Sequence, residues 1–185
     1  WLFSAEEFPK EKGKPETKLG NLVADLSFEI AQKYYKDNID FCLLNFGGLR
    51  TSLPKGKITR GKIFELMPFE NELVVITISE EKIIELIKYL KSIGGQPISN
   101  FQISFNKEMN DADLKQLFSS EGNSEFKILT SDYLAKGGDN MTFFDNPIKY
   151  EKVGIKLRDA IIQYCNEQHE QGKQLTGKLD GRITF

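Results

Sequence analysis

Between Asn71 and Gly95 the hydrophobic period of the chain changes once, with no linker at the change. "NELVVITIS" sets Val74, Ile76 and Ile78 on one face and Val75 and Thr77 on the other, the two-residue alternation of a strand. "SEEKIIELIKYLKSIGG" follows at once. Its Ile83, Leu86, Ile87 and Leu90 recur at three- and four-residue spacings, the apolar stripe of an amphipathic helix. Ser79 supplies an N-cap oxygen, and Gly94-Gly95 supplies the stop. A strand that runs straight into a helix requires a fold that packs both kinds of element.

The rest of the chain repeats this mixture without regular alternation. Residues 1–18, charged and punctuated by Pro9, Gly13 and Pro15, read as an extended lead-in, and residues 19–185 as one domain. "LGNLVADLSFEIAQKYYKD" reads as a helix closing near Asn38, and "IDFCLLNF" as a buried strand. A brief helix is expected around Gly61–Leu66, and strands at "FQISFN", "EFKILTS" and "GRITF". "YEKVGIKLRDAIIQYCNEQHEQG" is expected to be a third long helix, with Ile155, Leu157, Ile161, Ile162 and Tyr164 on its apolar faces. The expectation is a single α+β domain of layered α/β type, with mixed sheets and about three long helices.

Charge and composition narrow the function. The 25 basic and 27 acidic side chains nearly balance, which argues against nucleic acid as a partner. No apolar run approaches the roughly 18–20 residues that span a bilayer. The two cysteines, Cys42 and Cys165, read as small buried hydrophobes. The single histidine, His169, lies in the polar "NEQHEQGKQ" and reads as a solvated side chain. No metal-ligand spacing surrounds it, so no metal or cofactor is expected on this chain.

Three stretches hold more turn chemistry than folding requires, each beside a strand: Asn45 to Arg50, Met67 to Asn71, and Ser131 to Asn140. In "NFGGLR", Arg50 offers a planar fork for carboxylate or phosphate; it equally suits a turn closed by a salt bridge. Phe69 follows Pro68 and reads either as a ligand platform or as a plug in the core. In "SDYLAKGGDN", Asp139 after two glycines either caps a turn or accepts the two hydroxyls of a ribose. Together, two loop aromatics, an arginine, an asparagine and a glycine-presented aspartate form an inventory suited to a nucleoside.

The ordered set "LGNLVADL", "LLNFGGLR", "GKITRGKIFELMPFENELVVI", "YLAKGGDN" and "GRITF" resembles the C-terminal domain of the 5'-nucleotidase family, from about Leu19 to Phe185. The resemblance implies an enzyme in which a separate metallophosphatase domain carries two divalent metals and the catalytic residues. The domain resembled here binds the nucleoside of a nucleotide substrate, and a periplasmic or extracellular location follows from the same family. Residue by residue, Asn45 and Arg50 match substrate-contacting positions, and Phe69 and Tyr133 match the aromatic pair that sandwiches the base. Asn71 matches a base-contacting asparagine, Gly95 a backbone contact near the base, and Asp139 the carboxylate that holds the ribose.

The sequence departs from the family pattern at three points. Gly13, flanked by Lys12 and Lys14, stands where the family often has arginine. Asn140 replaces a glycine after Asp139, and Glu70 replaces one after Phe69, setting a negative charge beside the expected base site. A reading from another class is a non-catalytic nucleotide- or protein-binding module that has kept the fold.

Overall fold

The computed structural model describes residues 2–119, 122 and 124–185. Its centre is a five-stranded sheet formed by β2 (Phe41–Leu43), β4 (Glu72–Ser79), β5 (Ile98–Ser99), β7 (Glu125–Ser131) and β8 (Lys149–Lys156). The strand order is β5-β2-β7-β4-β8. β2 and β7 run parallel, whereas β4 is antiparallel to both of its neighbours, so the sheet is mixed.

The alternation of β4 decides the layering. Leu73 and Val75 enter one apolar cluster, shared with α1 (Lys18–Tyr34) and α6 (Leu157–Glu170). Val74, Ile76 and Ile78 enter a second, shared with α3 (Glu80–Ile93) and with Phe143 and Phe144. Successive side chains of a strand leave on opposite faces, so one apolar strand nucleates two cores and the sheet is covered on both sides. The helix signals read locally are met locally. Ser79 Oγ accepts the amide of Lys82, and Gly94 ends α3 in the left-handed conformation at φ +82°.

The leading segment is tied into the domain. β1 (Leu2–Ser4) pairs antiparallel with β3 (Gly56–Ile58). Phe8 is fully buried and exchanges two backbone hydrogen bonds with Leu53, of 2.9 and 3.0 Å. At the other end of the chain, β9 (Ile183–Thr184) pairs in parallel with β6 (Ile103–Ser104).

Several boundaries differ from the expectation. α1 stops at Tyr34, short of Asn38, because Tyr35 turns extended and buries its ring, while its hydroxyl donates to Glu151 Oε1 at 2.7 Å. Gln32 then closes the helix end, bonding to Asp37 O and to the amide of Ile39. Residues Tyr150–Lys156 belong to β8, not to the third long helix, which begins at Leu157. Gly154 sits at φ +97°, outside the helical region, and the open edge of β4 offers a full ladder of backbone partners. A further helix, α4 (Asp111–Ser119), falls where none was expected, and α2 (Arg60–Leu66) and the short α5 (Asp132–Ala135) complete the set. Both cysteines are free and buried, and burial pushes the Cys165 thiol up to about 12. His169 is exposed in the last turn of α6.

Candidate nucleoside site

The register of the sheet places four chain segments at one end of it: the exits of β2, β7 and β8 and the start of β4. Carboxyl ends of strands in such sheets are where loops diverge and leave a crevice. Here the crevice is a cavity of about 350 Å³ lined by Asn45, Gly47, Gly48, Arg50, Met67, Phe69, Asn71, Ser131, Tyr133, Asp139 and Leu157. Six of the seven residues singled out in the sequence therefore line one space. Gly95 does not line it. Its φ is +107°, and a Cβ there would lie 2.6 Å from the carbonyl oxygen of Pro15, so its lack of a side chain serves the packing of the leading segment.

Asp139 is the polar centre of the cavity. Asn45 Nδ2 donates to Oδ2 at 2.7 Å, Tyr133 Oη donates to Oδ1 at 3.1 Å, and Tyr89 Oη donates to the Asp139 carbonyl at 2.8 Å. Among the described residues no cation pairs with this carboxylate. Its backbone is left-handed at φ +54°, as is that of Asn140 at φ +60°. Left-handed backbone costs an L-residue about 1–2 kcal/mol, less for Asp and Asn. Each hydrogen bond to a charged group returns about 1.5–3 kcal/mol, so two of them hold the turn against its strain. Each carboxylate oxygen keeps a free lone pair for a ligand hydroxyl. The Asn140 departure is thus accommodated by a residue that tolerates this backbone.

The aromatic residues are not core plugs. Phe69 is 42% exposed and Tyr133 49%, whereas Phe143 in the core is 2% exposed. The Tyr133 ring packs against Gly138, where a Cβ would lie 2.5 Å from it. Only glycine lets the ring approach that turn so closely. The Arg50 guanidinium stands 5.8 Å from the Phe69 ring centroid and donates to Gly47 O at 3.4 Å. No ion pair engages Arg50 among the described residues, which leaves its fork open to an anion.

Glu70 corrects an expectation. Its charge does not face a base site uncompensated, because Lys156 Nζ binds Oε2 at 2.5 Å and the Arg158 guanidinium binds Oε1. The Lys156 hydrogen bond, followed by that of Arg158, holds the Glu70 carboxyl at about 2, well below the ordinary 4.5. Near the Gly13 departure, Lys10, Lys12 and Lys14 line a second cavity of about 270 Å³ that shares Gly47 with the first.

Arg158, Tyr89 and Leu157 contribute to the site but carry no sequence signal of it. Arg158 reads as one more charged position on a helix, and Tyr89 falls outside the Ile83, Leu86, Ile87 and Leu90 stripe of its helix. Among the described residues no group of three or more His, Cys, Asp or Glu is placed to hold a metal ion. Among those residues no helix is long and apolar enough to cross a membrane.

A mixed sheet covered on both faces, with aromatic and polar loop residues gathered around a cavity at one end, defines a layered α/β domain. The sequence pattern described as 5'-nucleotidase, C-terminal domain, matches residues 4–146, and the chain belongs to that family. An endonuclease, YhcR, of Bacillus subtilis is 30% identical over 177 residues, covering 78% of this chain and 14% of that protein. An apyrase of Tabanus yao is 26% identical over 163 residues, covering 76% of this chain and 29% of its own length. The chain therefore spans less than a third of the length of each of these curated relatives. A 5'-nucleotidase precursor from Thermus thermophilus shares the fold, with a TM-score of 0.78 at 22% identity, over 99% of this chain and 38% of that one.

Proposed function

We propose that this chain is the nucleoside-recognising domain of a 5'-nucleotidase-type phosphohydrolase. Phosphate release then takes place on a separate metallophosphatase domain, on the same or another polypeptide, which supplies two divalent metal ions and the attacking water. The observation that carries this reading is the convergence of Asn45, Arg50, Phe69, Asn71, Tyr133 and Asp139 on one cavity from segments far apart in sequence. Two half-exposed rings suit a flat base. Asp139, held by neutral donors, suits the hydroxyl pair of a ribose, and Arg50 suits the phosphate end. Asn71 completes the set as the contact to the polar edge of the base. Nucleotides reach such an enzyme in the periplasm or outside the cell, where we place this protein.

Two measurements test the proposal. NMR titration of the chain with adenosine and uridine should give saturable shifts at the cavity residues. The affinity expected is high micromolar to millimolar, about −4 to −6 kcal/mol, because no metal or phosphate contact assists. Incubation with AMP, UDP-glucose or a chromogenic phosphate ester, with Mn²⁺, Co²⁺ or Zn²⁺, should give no turnover. Hydrolysis that survives repurification and disappears on substituting a residue of this chain overturns the division of labour.

A further inference from the structure

The loop that carries Phe69 has little regular structure of its own between α2 and β4, yet it must hold a ring and an amide in register with Asp139. Its anchors come from one place, the start of α6. Arg158, with only 7% of its side chain exposed, donates through Nη1 to Met67 O at 3.4 Å and Phe69 O at 3.3 Å, and through Nη2 to the Glu70 carboxylate. Its guanidinium carbon lies 4.0 Å from the Phe64 ring centroid, so a stacked ring fixes the plane of the fork. Lys156 grips the other oxygen of Glu70, and the Leu157 amide donates to Asn71 O at 2.9 Å.

We propose that Arg158, clamped by Glu70, is the positioning residue that presents Phe69 to the base. This rests on the nucleoside-site reading above. An arginine serving stability alone has no need to place its donors on two carbonyls of one binding loop. Three backbone or side-chain acceptors in four residues converge on one guanidinium, and the residue between them, Pro68, has no amide to anchor the loop by itself. Without the clamp, Phe69 would sample orientations that stack poorly, and binding would lose the pre-ordering of that wall. Glu70 in this role explains why a charged residue is tolerated beside an apolar ring: its charge is spent on the loop's own anchor.

The test is a cycle on the whole 185-residue chain, with adenosine and uridine as probes. Glu70→Ala, Arg158→Met and Phe69→Ala are compared singly, and each of the first two is combined with Phe69→Ala. Amide exchange across residues 67–71 should quicken in both clamp variants. Affinity should fall about tenfold for Arg158→Met and a few-fold for Glu70→Ala, the scale of lost charge-assisted hydrogen bonds. In the Phe69→Ala background neither change should weaken binding further, because there is no ring left to position. Unchanged affinity in the single variants overturns the proposal. So does an equal loss in the Phe69→Ala background, which would mark general destabilisation. If Arg158→Met does not fold, exposed Glu70 still allows the cycle to be closed. A parent chain that binds neither nucleoside overturns the functional reading before any variant is made, and the positioning role with it.

Discussion

On the Met67–Asn71 side of the cavity the carboxylate, Glu70, is bound by two cations; on the Ser131–Asn140 side the carboxylate, Asp139, receives only neutral donors among the described residues. The two groups are chemically alike and differ in what surrounds them. A carboxylate paired with Lys and Arg has its charge compensated and can only brace the backbone. A carboxylate met by an amide and a phenol keeps its charge directed into the cavity, with lone pairs to spare. In the function proposed above, the first arrangement builds the wall and the second meets the ligand.

The comparison breaks most visibly at Asp139. Asp139→Ala should remove about 2–3 kcal/mol of nucleoside affinity, and it should also lower the thermal midpoint, because the left-handed turn loses the two hydrogen bonds that hold it. Glu70→Ala should retain measurable binding. If the two substitutions weaken binding equally, the distinction between brace and ligand group is wrong.

Next come the rings. Phe69→Ala should lose about 1–3 kcal/mol of binding from stacking, and Tyr133→Ala somewhat more, because it also releases Asp139 Oδ1. Neither should approach the ~3–5 kcal/mol of stability expected for Phe143→Ala in the core. Differential scanning of the three variants decides this, and a Phe69→Ala chain that melts like Phe143→Ala would make the ring a plug.

Gly138→Ala tests how tightly the Asp139 side is built. A methyl group 2.5 Å from the Tyr133 ring must displace it, at a cost of about 1–3 kcal/mol. Gly61→Ala in α2, where the nearest atom would be 3.8 Å away, should be neutral or stabilising by up to about 1 kcal/mol. Denaturant midpoints of the two variants should move in opposite directions or only one should move.

The smallest effect is the pH dependence of the Glu70 brace. Its carboxyl titrates near 2 when folded, below the ordinary 4.5, so the folded state binds the proton less readily than the unfolded chain. The pairing therefore stabilises fully above pH about 4.5, and its contribution is lost as pH falls through about 2. Glu70→Gln should lower the thermal midpoint slightly at neutral pH. That gap should close between pH 4.5 and 2; a gap that stays constant over this range means the ion pair is not its source.

Much of the fold was legible because the signals are local. The alternation of "NELVVITIS", the stripe of α3, the Ser79 cap and the Gly94 stop each depend on groups a few residues apart. The misreading at Tyr150–Lys156 arose where local preference is weak and a long-range partner decides. Val153 and Ile155 fit a helix face as well as a strand, and only the unpaired edge of β4 selects the strand. α4 was missed because its amphipathic stripe is short, with Leu114 its one fully buried apolar residue.

The candidate site divides in the same way. Glycines, a proline and aromatics beside strand ends marked which stretches hold turn chemistry, because backbone freedom and rigidity are properties of single residues. What those stretches do together depended on the order β5-β2-β7-β4-β8, which brings Asn45, Phe69 and Asp139 to one end of the sheet across gaps that no local pattern spans. The partners of Glu70 and Arg158 are set by the docking of α6 onto the Met67–Asn71 loop. A side chain's charge is written in the sequence, but whether that charge is compensated or free is a matter of distances of a few ångström between residues nearly ninety positions apart, and only the packed structure fixes those.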